Sequence, residues 1–175
     1  MVPPTALRLY PRRVTDLLTD PAHRVSPRAV SYWRISSAFG WLVFLGILVT
    51  VWRLWFDHLT WPAVGIGVWG LYAVAHVIAM PVVRYRVHRW EVTPTAVRTR
   101  SGWLSREQRI APLSRIQTVD SSQGALMRVF GLTSVTVTTA SAAGPVTIDA
   151  LDTATAERLA AELTVATAAT PGDAT

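Results

Sequence analysis

Two long stretches without a charged side chain decide what this chain can become. Residues 35–52 (ISSAFGWLVFLGILVTVW) and 59–83 (LTWPAVGIGVWGLYAVAHVIAMPVV) contain no Asp, Glu, Lys or Arg. A helix rises about 1.5 Å per residue, so roughly 17–25 apolar residues cross a hydrocarbon core of ~30 Å. Each run fits that window, whereas one unbroken helix over 35–83 would overshoot it. Residues 53–58, which hold Arg53, Asp57 and His58, therefore read as a turn at the far membrane surface. The expectation is a transmembrane helical hairpin over 35–83, with helices at about 35–55 and 59–83. Helices buried in a soluble core would be shorter and would carry a polar face. A signal peptide does not fit either, because the first 34 residues lack an early apolar core.

Charged residues make up only 16% of the chain, as expected when a quarter or more of it lies in lipid. The formal net charge is +6, and all 17 basic residues are Arg. The chain has no cysteine, which excludes disulfides, thiolate catalysis and cysteine-based zinc sites. The basic excess does not point to nucleic acid, because much of it flanks the apolar runs, where orientation in a bilayer requires it. Arg24, Arg28 and Arg34 precede the hairpin, and Arg84, Arg86 and Arg89 follow it. The turn holds only Arg53, offset by Asp57. Positive flanks stay inside, so the expected placement is a multi-pass protein of the plasma (inner) membrane with both termini cytoplasmic.

Residues 1–34 form a cytoplasmic N-terminal segment broken by Pro3, Pro4, Pro11, Pro21 and Pro27. They read as extended or loosely ordered, with a short amphipathic turn at 14–18. Ser26-Pro27-Arg28 and Tyr32-Trp33-Arg34 read as an approach to the headgroups. After residue 83 the pattern changes to strands, expected at 85–92, 96–100, 103–111, 115–120, 134–140 and 145–150. Breaks fall at Thr93-Pro94-Thr95, at Ser101-Gly102, at Ala143-Gly144, and at a helical turn over 123–130 closed by Gly131. A helix from Asp152 or Thr153 to about 167 carries Ala156, Leu159, Ala160 and Leu163 on one face. Residues 84–167 thus outline a small antiparallel barrel or curled sheet capped by a C-terminal helix, with a flexible tail over 168–175.

The run APLSRIQTVDSSQGALMRVFGLTSVTVTTA over 111–140 resembles bacterial pleckstrin-homology-like (PH-like) membrane proteins of YdbS type. That family carries a similar Pro-Leu-Ser-Arg-Ile-Gln-x-Val run, then Ser-Gln-Gly, an Arg-x-Phe-Gly-Leu turn and a strand ending in Thr-Ala. The resemblance covers roughly 24–166. It implies a PH-like domain at 84–167 on the cytoplasmic face, and no enzymatic activity, since none is established for the family as a class. Its motif residues here are Ser114, Arg115, Ile116, Gln117, Val119, Gln123, Gly124, Arg128 and Gly131. On a structural reading Ile116, Val119, Leu126, Val129, Phe130 and Leu132 are core. Gly124 and Gly131 then relax turns, and Arg115 and Gln117 tie strand to turn. On a functional reading Arg115, Gln117 and Arg128 face a partner or a headgroup. PH domains that bind phosphoinositides place basic residues around the first hairpin loop. The loop at 93–95 has none. Arg98 and Arg100 lie on one face of the next strand and, with Arg84, Arg86 and Arg89, are candidate headgroup contacts.

Gly65-Ile66-Gly67-Val68-Trp69-Gly70 matches GxGxxG, but a dinucleotide site needs a preceding strand and a soluble βαβ unit. His23, His58, His76 and His88 lack metal-ligand spacing, so no metal or other cofactor is expected. His76, inside the second span and without an acidic partner in either span, reads as a neutral side chain bonded across the helix pair. The reading that follows is a non-enzymatic, membrane-anchored interaction or scaffold module. It is held by the lipid bilayer and partnered by a protein or by its own copies, with no nucleic acid. The alternatives are an accessory subunit of a transport or export complex, and a weak anionic-lipid sensor.

Overall fold

A computed structural model of the protein describes residues 20–140 and 144–169. The turn expected at 14–18, Ala143 and residues 170–175 lie outside the described residues. Helix α1 spans Arg28–Trp55 and helix α2 spans Trp61–Val87, packed side by side as the expected hairpin. The turn between them is tied by the Trp52 indole N–H, which donates to the Leu59 carbonyl at 3.0 Å, and by Arg53 pairing with Asp57 at 3.4 Å. The outer surfaces of both helices are bare hydrocarbon: Leu42 is 70% and Leu71 74% exposed. Helices this long and apolar, with so little of their surface covered, have the length and composition of membrane spans.

Both helices reach further into the protein body than the apolar runs indicate. α1 starts at Arg28, not near 35, and α2 ends at Val87, not 83. Residues 28–34 are therefore helical rather than loosely ordered, and Arg84 to Val87 are the last turn of α2 rather than the start of a strand. Nothing between 28 and 34 breaks a helix, and Pro27 sits just ahead of the first turn, where its missing N–H costs nothing. Ala29 and Trp33 are buried. In the segment expected to approach the headgroups, Ser26 and Trp33 are buried in the domain, while Arg28 and Arg34 stay exposed.

The strands are β1 (His23–Arg24), β2 (Arg89–Val92), β3 (Ala96–Gly102), β4 (Arg106–Pro112), β5 (Ile116–Ser122), β6 (Leu132–Thr139) and β7 (Val146–Asp152). They form two antiparallel sheets, ordered β1-β2-β3-β4 and β5-β6-β7. A single 3₁₀ turn, Leu113–Arg115, leads from one sheet to the other. The sheets stay open and do not close into a barrel. A short helix, α3 (Ala125–Val129), lies between β5 and β6, and α4 (Thr153–Ala169) closes the body. Val97 and Ala111 from the first sheet, with Leu113 of the connecting turn, meet Val135, Val137, Val146 and Ile148 from the second. Ala156, Leu159 and Leu163 of α4 seal that layer, on the face the heptad-like spacing marks.

A second apolar cluster joins the hairpin to this body: Val25, Ala29 and Trp33 pack on Leu132 and Ala150. The Ser26 backbone N–H donates to the Ala150 carbonyl at 3.1 Å, and its hydroxyl donates to Asp152 at 2.9 Å. β1, which precedes the hairpin, pairs with β2, which follows it, through His23 opposite Trp90. Two feet joined by a strand pair must stand on the same side of the bilayer, so the chain crosses and returns.

Ala150 adopts φ +55, a conformation that favours glycine, at the irregular register between β6 and β7. A β-branched residue there meets backbone strain and a filled core together. Ala150→Val is expected to lower stability by about 2 kcal/mol or more. Thr147→Val, exposed on the same strand, is expected to stay within ~0.5 kcal/mol. Reversible unfolding of the full chain in bicelles reads both.

Candidate functional site

A cleft of about 370 Å³ lies where α2 meets β3 and β7. Its body end is polar, with Arg84, His88, Ser101 and Asp149, and its membrane end carries His76, Met80 and Trp103. The last turn of α2 puts Arg84 over the face of Trp33, with the guanidinium carbon 4.4 Å from the ring centroid. Arg84 also pairs with Asp149 at 3.5 Å, and the other oxygen of that carboxylate accepts from the Ser134 hydroxyl at 3.2 Å. The His88 ring also lies beside Trp33, with centroids 5.2 Å apart. Trp33 is thus in contact with both a cation and an imidazole, and the cation–ring contact is worth more the less water reaches it.

His88 has both ring nitrogens engaged. Nδ1 lies 2.9 Å from the Arg84 carbonyl, which can only accept, so Nδ1 carries the proton. Nε2 is then free to accept from Arg84 Nε–H at 3.4 Å. Burial holds the pKa of His88 below the ordinary value of 6.5, and the neighbouring Arg84 lowers it further. The backbone bond to Arg84 and the charge of Asp149 oppose this without reversing it. A neutral imidazole with both nitrogens committed is a strut, not a proton shuttle.

Deeper along α2, the Trp41 indole N–H donates to His76 Nδ1 at 3.1 Å. An indole can only donate, so Nδ1 is the acceptor and the ring proton sits on Nε2. This is the neutral interhelical bond expected of His76. Phe44, Trp69 and Tyr72 gather around the pair, with ring centroids 5.5 to 6.1 Å apart.

The five arginines taken as headgroup contacts divide. Arg86 is exposed on the last turn of α2. Arg84 is committed to Trp33 and Asp149. Arg89 reaches the Pro21 carbonyl at 3.4 Å. Arg98 and Arg100 are largely covered and ion-paired. Arg98 is 2% exposed and pairs with Glu91 at 3.1 Å, its cross-strand neighbour in register. Arg100 pairs with Asp20. Alternation marks one open face on β3, but Ala96 to Thr99 are all buried, because β3 is covered on both faces.

The family motif also departs in part from its expected roles. Ile116 and Val119 pack against the core and Leu132 is buried, but Val129 is 79% exposed. Gln123, not Arg115 or Gln117, makes the tie, its amide donating to the Leu132 carbonyl at 2.8 Å and to the hydroxyls of Thr133 and Thr153. Gly131, at φ +63, needs glycine, whereas Gly124 has an ordinary φ of −70 and open space around it. Ser114, Arg115, Gln117 and Arg128 are exposed. The GxGxxG match lies wholly inside α2. Among the described residues no group of three or more His, Asp or Glu side chains is placed to hold a metal ion. Sequence reasoning missed Trp33, His88, Asp149 and Trp103. Only Trp33 carried a signal, as an aromatic beside Arg34 at the entry to an apolar run.

Comparison with known proteins places these features in a family. The family described as Bacterial PH domain matches residues 37–166, both helices and the body together. The transmembrane protein YdbS of Bacillus subtilis (strain 168) is 32% identical over 143 residues, covering 80% of this chain and 89% of that one. No solved structure matches the chain.

Two outcomes follow from the histidines. Below pH 6.5 an unfolded His88 binds a proton that the folded one resists, so stability is complete above that pH and falls as the pH drops through it. Thermal melts of the full chain in nanodiscs between pH 8 and 5 are expected to show a steeper acid-side loss than the His88→Gln variant. For the membrane pair, a double-mutant cycle of Trp41→Phe and His76→Phe is expected to give a coupling of about 0.6 kcal/mol in bicelle unfolding.

Proposed function

The chain belongs to the bacterial PH domain family of membrane proteins, and from that premise we propose that it is a non-enzymatic interaction module anchored on the cytoplasmic face of the plasma membrane. The orientation rests on arginine placement. Arg24, Arg28 and Arg34 enter the hairpin and Arg84, Arg86 and Arg89 leave it, while the single Arg53 of the turn is paired with Asp57.

One observation carries the reading. Part of the family motif, Ile116, Gln117 and Val119, lies on an outer strand: among the described residues β5 ends its sheet and has β6 as its strand neighbour. Its apolar residues Ile116 and Val119 pack inward, while Arg115, Gln117 and Asp120 stay exposed. An outer strand offers unpaired backbone groups to an incoming strand, and its polar side chains set which one is accepted. The motif therefore does two jobs, one for the core and one for a partner strand supplied by another protein or a second copy. The lipid-sensor alternative is weakened, because Arg98 and Arg100 are occupied within the body.

The chain has no native cysteine, so a single one is a clean probe. With Gln117→Cys in native membranes, a short cross-linker is expected to give one discrete adduct. A doubled mass, against 19.2 kDa for the chain, identifies self-association, and any other mass a foreign partner. Arg158→Cys, exposed on α4, is expected to give none. Adding Arg115→Glu to the Gln117→Cys chain is expected to abolish the adduct without changing the melting temperature. Equal labelling at 117 and 158 would remove the edge from consideration.

A further inference from the structure

The tip of the β3–β4 hairpin is a tight turn with exposed apolar side chains. Gly102 holds φ +122, and a Cβ there would collide with the Ser105 carbonyl oxygen, so this tight turn requires glycine. Only Trp103, Leu104 and Ser105 lie between the strands. The turn carries two large apolar side chains: Leu104 is 83% exposed, and Trp103 is 37% exposed. At the tip of a hairpin in water these groups would gain nothing and would invite aggregation.

Their position says what covers them. The Trp103 ring meets the His76 ring edge-on, with centroids 5.4 Å apart. His76 lies eight residues before Arg84, the first charged residue after the apolar run. On a helix that separation is about 12 Å along the axis. With Arg84 at headgroup level, the tip is level with hydrocarbon, on the flank of α2. We infer that Trp103 and Leu104 are inserted into the cytoplasmic leaflet beside α2, as a third attachment point. Monotopic segments sink their apolar faces roughly 5–10 Å below the headgroups, and a tip near the level of His76 goes at least that deep. Trp103 suits the level because its ring is apolar while its N–H can stay near polar groups. Arg106 is the first residue of β4, opposite Gly102 in register, and is exposed. Its long side chain returns to the phosphate layer from there. The occupant of this surface is therefore phospholipid, acyl chains at the tip and phosphate at Arg106.

The inference rests on the hairpin spanning the bilayer, so the experiment separates the two. Full-length chain carrying Leu104→Cys is labelled with an environment-sensitive fluorophore and reconstituted in phosphatidylcholine–phosphatidylglycerol vesicles. Leu42→Cys, exposed on α1, marks the span, and Glu107→Cys, exposed on β4, marks the aqueous body. The label at 104 is expected to emit to the blue of that at 107, to be quenched by nitroxides on the upper acyl chain, and to lose quenching by iodide. Iodide quenching at 104, or quenching by neither reagent, overturns the insertion. If the label at 42 also escapes acyl nitroxides, the spanning hairpin fails with it. Leu104 touches no core, and its substitution leaves the fold intact for the measurement.

Discussion

Trp33 is the residue on which the rest of the architecture turns. It belongs to α1, whose later turns lie in lipid, yet it is buried among residues of the soluble body. Arg84, on the other helix, stacks on it, His88 stands against it, and Asp149 holds Arg84 from β7. A bulky aromatic clamped from several sides fixes where both helices leave the domain. The hairpin is therefore not a tether ending in a swivel. Its helices continue as rigid elements into the core, and any tilt of the pair in the bilayer is a tilt of the whole body.

That clamp also explains the chemistry of the cleft. A guanidinium, a carboxylate and an imidazole gathered at the membrane surface resemble the makings of a catalytic site. Each is already spent: the carboxylate on arginine and serine, the imidazole on a carbonyl and the same arginine. Polar groups beside an apolar span gain by satisfying one another, because an unmade bond there is costly.

How much of this was legible depended on how local the cause was. The two apolar runs gave the hairpin because charge depletion over twenty residues has few other meanings. Alternation and turn residues gave most strands, and the Ala156, Leu159 and Leu163 face gave the closing helix. The foot of α1 was not legible, since the partners that bury Ala29 and Trp33 are Leu132 and Ala150, more than a hundred residues on. Arg98 and Arg100 were misread for a related reason: an alternating strand implies one open face unless something distant covers it, and here Glu91 and Asp20 supply the counter-charges. The turn at Ser101-Gly102 could be seen. That it reaches the level of His76 could not, because a strand pattern carries no information on what stands beside it.

The stitching of Ser26 to Asp152 spans 126 positions, and both membrane helices lie between them. A ribosome delivers the leading residues long before their partners exist. They must wait, unpaired, while the hairpin enters the bilayer and six further strands are made. Closure of the body is thus the last act of synthesis, and it succeeds only if the lipid-spanning segments have already brought the nascent chain back to the side it started from.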